Sequence, residues 1–205
     1  MRVCKSSYRK NTQDHKLNLL ALDLTNEIHY IAVRFFGKEY SLEFTENNRS
    51  KRNDWNKKID EIYNKIPNFD LKKIDANIYA AGPGSYTGAR LAYTFFSTLE
   101  YINNTPFYAV SNLEAMNIEC PDAVPFFANN NKDFFFRING EDKHTNDINE
   151  IQALRKKLIG FEHNKDLVDL VIPKNVVVRN ILEKKNLKSG ENYPNYIKEL
   201  AYKKL

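Results

Sequence analysis

Glycine and proline are scarce in this chain, at seven each in 205 residues, and three of the glycines fall within one stretch of seven. Cysteine is scarcer still: Cys4 and Cys120 lie far apart, without the paired spacing of a disulfide framework or a zinc knuckle, and a reducing cytosol fits them. No run approaches the roughly 18 apolar residues of a membrane span. The four histidines (His15, His29, His144 and His163) show neither HxxH nor HxxxH pairing, so no metal and no cofactor is expected. What remains is enough for a globular core, with 42% hydrophobic and 13% aromatic residues. A formal charge of +5 suits an RNA or acidic partner, and equally a compositional bias of the source.

The clustered glycines are Gly82, Gly84 and Gly88 of Gly82-Pro83-Gly84-Ser85-Tyr86-Thr87-Gly88. This loop joins a strand-like run, Ala76–Ala81, to fourteen residues without Gly or Pro, Ala89–Ile102. Glycine permits positive φ and close backbone approach, and the Ser85 or Thr87 hydroxyl is placed to cap the helix start. Such a turn binds an anion or simply makes a corner. The Gly-Lys-Ser/Thr of a phosphate-binding P-loop is missing, since the loop closes as Thr87-Gly88-Ala89. Ser85 sits outside a Gly-x-Ser-x-Gly elbow and has no identifiable base.

Taken in order, residues 1–16 form a basic stretch with one acid, Asp14, which reads as a disordered tail or, less simply, a transit peptide. Leu17–Leu24, Ile28–Phe36 and Tyr40–Phe44 read as a β-meander, with Asp23 at the end of the first strand as a turn-former or a ligand. Asn53–Ile66 carries Trp55, Ile59, Ile62, Tyr63 and Ile66 on one stripe of a helix. The helix from Ala89 has a wider apolar arc, beside a strip of Arg90, Thr94, Ser97 and Thr98. That width fits a helix that also faces a partner, or one buried twice within its own protein. A second lobe is expected to begin at Phe107 with a strand to Val110, then a short helix to Ile118 and strands Ala123–Ala128 and Asp133–Ile138. Ile148–Ile159 follows as a helix, Leu167–Ile172 as a strand, and 175–186 as strand then helix. The end, from Tyr193 to Leu205, is expected to dock on the body.

Gly82–Leu91, read as Gly-Pro-Gly-Ser-Tyr-Thr-Gly-Ala-Arg-Leu, resembles the Gly-Pro-Gly-Ser-Phe-Thr-Gly-x-Arg signature of the bacterial TsaB (YeaZ) family of tRNA threonylcarbamoyladenosine biosynthesis proteins. Leu20–Thr25, Val110–Met116 and the Pro194-Asn195-Tyr196-Ile197 ending resemble other family segments in order and spacing. The resemblance implies an α/β fold of two lobes, that of the actin, Hsp70 and sugar-kinase superfamily (ribonuclease H-like), with mixed sheets flanked by helices. On that basis 1–16 is a tail, 17–106 the N-terminal lobe with partner-binding helices, and 107–205 a compact C-terminal lobe. The family's role is that of a non-catalytic, cytoplasmic subunit. It pairs with the TsaD-type transferase as a heterodimer, is joined by a TsaE-type ATPase, and meets tRNA through the complex; a homodimer is the alternative when alone. The implied interface is Arg90, Thr94, Ser97 and Thr98 with Trp55, Ile59 and Tyr63, and no catalytic residue is implied. Lys57, Lys58, Lys72, Lys73, Lys203 and Lys204 are candidates for charge facing tRNA. Two departures stand out: Asn129-Asn130-Asn131 replaces a common Asp-Ala-Arg run, and Leu24 replaces the usual Thr after the Asp. The competing reading is an enzyme of the same superfamily, a small-molecule kinase or a glycoprotease-like peptidase.

Overall fold

The computed structural model describes residues 17–45, 55–130, 132–184, 187 and 192–197. Expectations for the tail 1–16, for Asn131 and for Lys203-Lys204 lie outside the described residues.

Two five-stranded sheets carry the fold. The first is built from β1 (Leu19–Asp23), β2 (Ile28–Phe35), β3 (Lys38–Thr45), β4 (Ala76–Ala80) and β5 (Phe107–Val110), in the order β3-β2-β1-β4-β5. The second is built from β6 (Val124–Asn130), β7 (Asp133–Ile138), β8 (Glu141–Thr145), β9 (Leu158–Phe161) and β10 (Leu170–Ile172), in the order β10-β9-β6-β7-β8. In each sheet a three-strand antiparallel meander continues into two parallel strands on the far side of its first strand. Read from β8 backwards, the second order is the first repeated, so the chain is a topological duplication with no visible sequence repeat.

The helices are α1 (Trp55–Lys65), α2 (Tyr86–Asn103), α3 (Asn112–Glu119), α4 (Ile148–Gln152) and α5 (Val176–Leu182). In the duplication α1 corresponds to α4 and α3 to α5. The long α2 has only the turn Glu162–Asn164 as its counterpart, which is why the second lobe is compact.

Strand β1 alternates across two cores, and its burial is complete on both faces. Leu20 and Leu22 join Ile62, Ile66, Ala92 and Phe96 on the side of α1 and α2. Leu19 and Ala21 join Leu113, Met116, Val177 and Ile181 of α3 and α5, together with Phe127, Phe135 and Phe161 from the second sheet. The two lobes therefore share one core around an α3–α5 pair, tied by Asn180 Nδ2 donating to the Ala115 carbonyl at 2.9 Å. A third cluster packs Ile151 of α4 on the outer face of the second sheet.

Several boundaries differ from the sequence reading. The strand 107–110 is the edge of the first sheet, not the start of the second lobe. The helix expected over Ile148–Ile159 stops at Gln152, and Leu158–Phe161 instead pairs in parallel with β6 and β10. Val176-Val177-Val178, β-formers by propensity, are helical because their buried side chains fill the space between the first sheet and α3. The charged run Glu141–Thr145 gave no strand signal, yet forms the edge strand β8, where charge is tolerated and discourages further pairing. Lys58 is buried, with its ammonium 5.6 Å from the centre of the Phe44 ring, so it offers no charge to RNA.

Asn77 on β4 is 1% exposed, and neither its Nδ2 nor its Oδ1 has a hydrogen-bond partner among the described residues. A buried amide without partners carries its full desolvation penalty. Asn77→Leu, similar in volume, is expected to raise stability by about 1–3 kcal/mol, read as a higher urea midpoint at unchanged slope. A lower midpoint would mean the amide is satisfied in solution.

Candidate functional site

The glycine loop leaves β4 and enters α2 as expected. Ser85 is the N-cap, extended at φ −66° and ψ 110°, and its Oγ accepts from the Gly88 amide at 3.2 Å. The helix runs on to an αL cap at Asn104, whose N–H donates to Glu100 O at 2.9 Å.

What surrounds the loop explains its glycines. At Gly84, with φ +155°, a Cβ would stand 2.8 Å from the Thr25 Cβ and carbonyl oxygen. At Gly88 it would stand 1.7 Å from the Leu24 carbonyl oxygen. The Ser85 amide donates to Thr25 O at 2.8 Å. The loop is thus pressed backbone to backbone on the β1–β2 turn, and the missing side chains are what allow it.

A buried polar network fixes that contact. Asp23, fully buried, accepts from the Thr25 amide (2.9 Å) and hydroxyl (2.6 Å) on one oxygen and from Asn26 Nδ2 (3.1 Å) on the other. The Thr25 hydroxyl accepts from Asn112 Nδ2 at 2.7 Å. The same amide group donates to Pro83 O at 3.2 Å, and its Oδ1 accepts from the Gly82 amide at 3.0 Å. Asp23 is therefore a turn-former whose turn holds the loop. Asn112, which the sequence reading held only within the Val110–Met116 segment, is the residue that joins the two loops.

Burial pushes the Asp23 carboxyl above its usual range, against the opposing hydrogen bonds from Thr25 and Asn26. A folded pKa above the unfolded value of about 3.9 means that the protonated form is the one folding favours. This contribution is greatest below the unfolded pKa and is lost as pH rises through the folded one. Asp23→Asn keeps an acceptor for Thr25 and removes the charge. Its Tm relative to wild type is expected to rise as pH goes from about 4 to 7; a pH-independent difference would refute the burial argument.

On one side of the loop lies an open cleft of about 610 Å³ between the lobes, lined among others by Thr25, Glu27, Thr87, Phe127, His163 and Lys174. No group of His, Cys, Asp or Glu among the described residues is arranged to hold a metal ion.

The residues of α2 divide into two groups. Ala89, Ala92 and Phe96 of α2 lie on the sheet. Phe95 stacks on Trp55 of α1 at 3.9 Å and 5°, and Leu91, Leu99 and Ile59 pack into the same cluster. Tyr93 meets Phe107 at 5.7 Å and Tyr193 of the C-terminal segment at 5.5 Å. The wide apolar arc is thus filled in part from within the chain, by sheet, α1 and C-terminal segment, while Leu91, Phe95 and Leu99 stay half-buried and Ile102 is exposed. Arg90, too, is engaged: its Nε donates to the Tyr196 hydroxyl at 3.0 Å. Thr94 and Thr98 are exposed and Ser97 half-buried; Tyr101, 89% exposed, lies further along the helix. Tyr63 is 45% exposed and sits edge-on to Phe69 at 5.1 Å.

Residues 47–123, which span α1 to α3, match the family model described as TsaD, tRNA N6-adenosine threonylcarbamoyltransferase. No curated protein matches the chain in sequence. Among solved structures, YeaZ from Pseudomonas aeruginosa superposes with a TM-score of 0.60 at 15% identity, covering 82% of this chain and 91% of that one. An uncharacterized protein with similarity to peptidase YeaZ from Pseudomonas aeruginosa gives a TM-score of 0.62 at 14% identity, covering 89% of this chain and all of that one. The duplicated mixed sheets flanked by helices are thus the fold of these YeaZ structures over most of this chain, the family whose signature the glycine loop resembles.

Proposed function

We propose that this chain is a TsaB-type subunit of the tRNA threonylcarbamoyladenosine modification complex. In this reading it is a cytoplasmic, non-catalytic partner that binds and activates a TsaD-type transferase. The observation that carries the reading is the glycine loop: it is packed on Leu24 and Thr25 as a structural corner and launches α2, where Thr94 and Thr98 are exposed and Ser97 half-buried. Small side chains let a second helix approach closely. The match of the TsaD family model to the segment holding α1 and α2 supports a partner built with the counterpart of that pair, meeting it about a pseudo-two-fold axis. A TsaE-type ATPase joins the pair, tRNA is met through the complex, and no cofactor is bound by this subunit.

The test is association. The purified chain and a TsaD-type protein should comigrate on size exclusion, and Ser97→Trp should weaken their Kd at least about tenfold, roughly 1.4 kcal/mol, with Tm unchanged. Failure of the wild-type pair to associate would overturn the reading, and an unaltered Kd in the variant would move the interface elsewhere. Light scattering of the chain alone reports whether the same face makes a homodimer. The interlobe cleft favours a second reading, a small-molecule kinase, which magnesium-dependent ATP turnover by the isolated chain would support.

A further inference from the structure

The described C-terminal segment, residues 192–197, is bonded to both lobes. On the first lobe the Asn195 amide donates to Ala81 O at 2.9 Å, just before the glycine loop, and the Tyr79 hydroxyl donates to Asn192 O at 2.6 Å. The Tyr196 ring stacks on Tyr86 at 5.5 Å and 20°, and its hydroxyl accepts from Arg90 Nε, with the guanidinium 5.7 Å from the ring centre. On the second lobe Asn195 Nδ2 donates to Asp142 Oδ2 of β8 at 2.7 Å. The other Asp142 oxygen is held by Arg137 NH1 at 2.5 Å, and Arg137 lies 3.9 Å from Glu114. Asp142 is nearly buried, with 8% of its side chain exposed, so the carboxylate is fixed from behind before it meets Asn195.

Asn195 thus joins the lobes by itself, through its backbone to one and its side chain to the other. Tyr196 is the next residue, and few torsions separate the anchored Asn195 backbone from the Tyr196 hydroxyl. An arginine side chain on an exposed helix face otherwise samples many rotamers; here one of its donors has a fixed acceptor. The chain of contacts runs Glu114–Arg137–Asp142–Asn195–Tyr196–Arg90, from α3 through the β7–β8 hairpin of the second sheet to α2.

We propose that Asp142, on the second lobe, is a positioning residue for Arg90 on the first, acting through Asn195 and Tyr196. A charge on the face of α2 is then set by the opposite lobe, and the C-terminal segment works as a brace rather than as a loose end. The inference concerns this chain alone and does not depend on whether a transferase binds.

The test reads Arg90 Nε–H exchange by nitrogen-15 NMR in the full chain. Tyr196→Phe, which removes the acceptor, should speed that exchange about tenfold, the scale set by losing one hydrogen bond of ordinary strength. Asp142→Ala and Asn195→Ala should produce the same change, while the β1 and β2 backbone amides of Leu20 and Ile31 exchange as in wild type. Asn195→Ala leaves the Arg137–Asp142 pair intact, so it decides the matter should Asp142→Ala fold poorly. The proposal is overturned if Asn195→Ala leaves Arg90 as in wild type while Tyr196→Phe changes it. It is equally overturned if Tyr196→Phe changes nothing.

Discussion

Gly88→Ala should lower Tm by about 8–16 °C or prevent folding. The added Cβ would lie 1.7 Å from the Leu24 carbonyl oxygen, well inside van der Waals contact, and the obstacle is backbone, which has no rotamer to change. To relieve the clash the start of α2 must move off the β1–β2 turn, and the Ser85 amide then loses its bond to Thr25 O. Overpacking of this severity, joined to a lost buried hydrogen bond, belongs with the largest single-residue effects, about 4 kcal/mol or more, and for a chain of this length each kcal/mol moves Tm by about 2–4 °C. Gly140→Ala is the control. Gly140, unlike the helical Gly88, has positive φ, at +81°, but nothing lies within 4 Å of its would-be Cβ, so it should cost only about 1 kcal/mol of backbone strain. Thermal unfolding followed by circular dichroism distinguishes them. Equal, small losses in the two variants would mean that the loop does not pack on Leu24.

The second large effect is expected at Asn112. Its side chain satisfies the Gly82 amide, the Pro83 carbonyl and the Thr25 hydroxyl at once, and it is 2% exposed. Asn112→Ala leaves all three buried without that partner and should cost about 3–4 kcal/mol. Asn112→Asp should not rescue. It restores an acceptor for Gly82, but sets its second oxygen against Pro83 O and against a Thr25 hydroxyl whose proton already goes to Asp23. Thr25→Ala alone should cost less, and the double variant should fall short of the sum, because both single changes break the same bond. Urea unfolding of the four proteins gives the coupling directly. Additive losses would show that the two residues act independently and that the network does not hold the loops together.

These two predictions mark where sequence reading ended. The strand into the loop, the helix out of it and a hydroxyl cap at Ser85 or Thr87 are local features, decided within four residues by propensity and by orphan amides, and they stood in the sequence plainly; the structure selects Ser85. So did the apolar stripe of α1, since a 3.6-residue period needs no knowledge of what it packs against. The helix–strand confusion near Leu158 and at Val176–Val178 came from the opposite situation. There the neighbours in space, β6 and β10 for the one and the first sheet with α3 for the other, overrode the local preference.

Composition, the single glycine cluster and its flanking periodicities determined that this is an α/β chain organised on a strand–loop–helix corner, and the loop's residue pattern pointed to one family. Tertiary structure alone decided what the glycines are for. Leu24 and Thr25 lie some sixty residues earlier in the chain and leave no trace in the loop's own spacing, yet their carbonyl oxygens occupy the space where side chains would go. It alone decided, too, that Arg90 answers to Tyr196 and that Phe95 of α2 stacks on Trp55 of α1. Spacing records which residues share a face. Which distant backbone presses on that face is fixed only when the two lobes close over their common core.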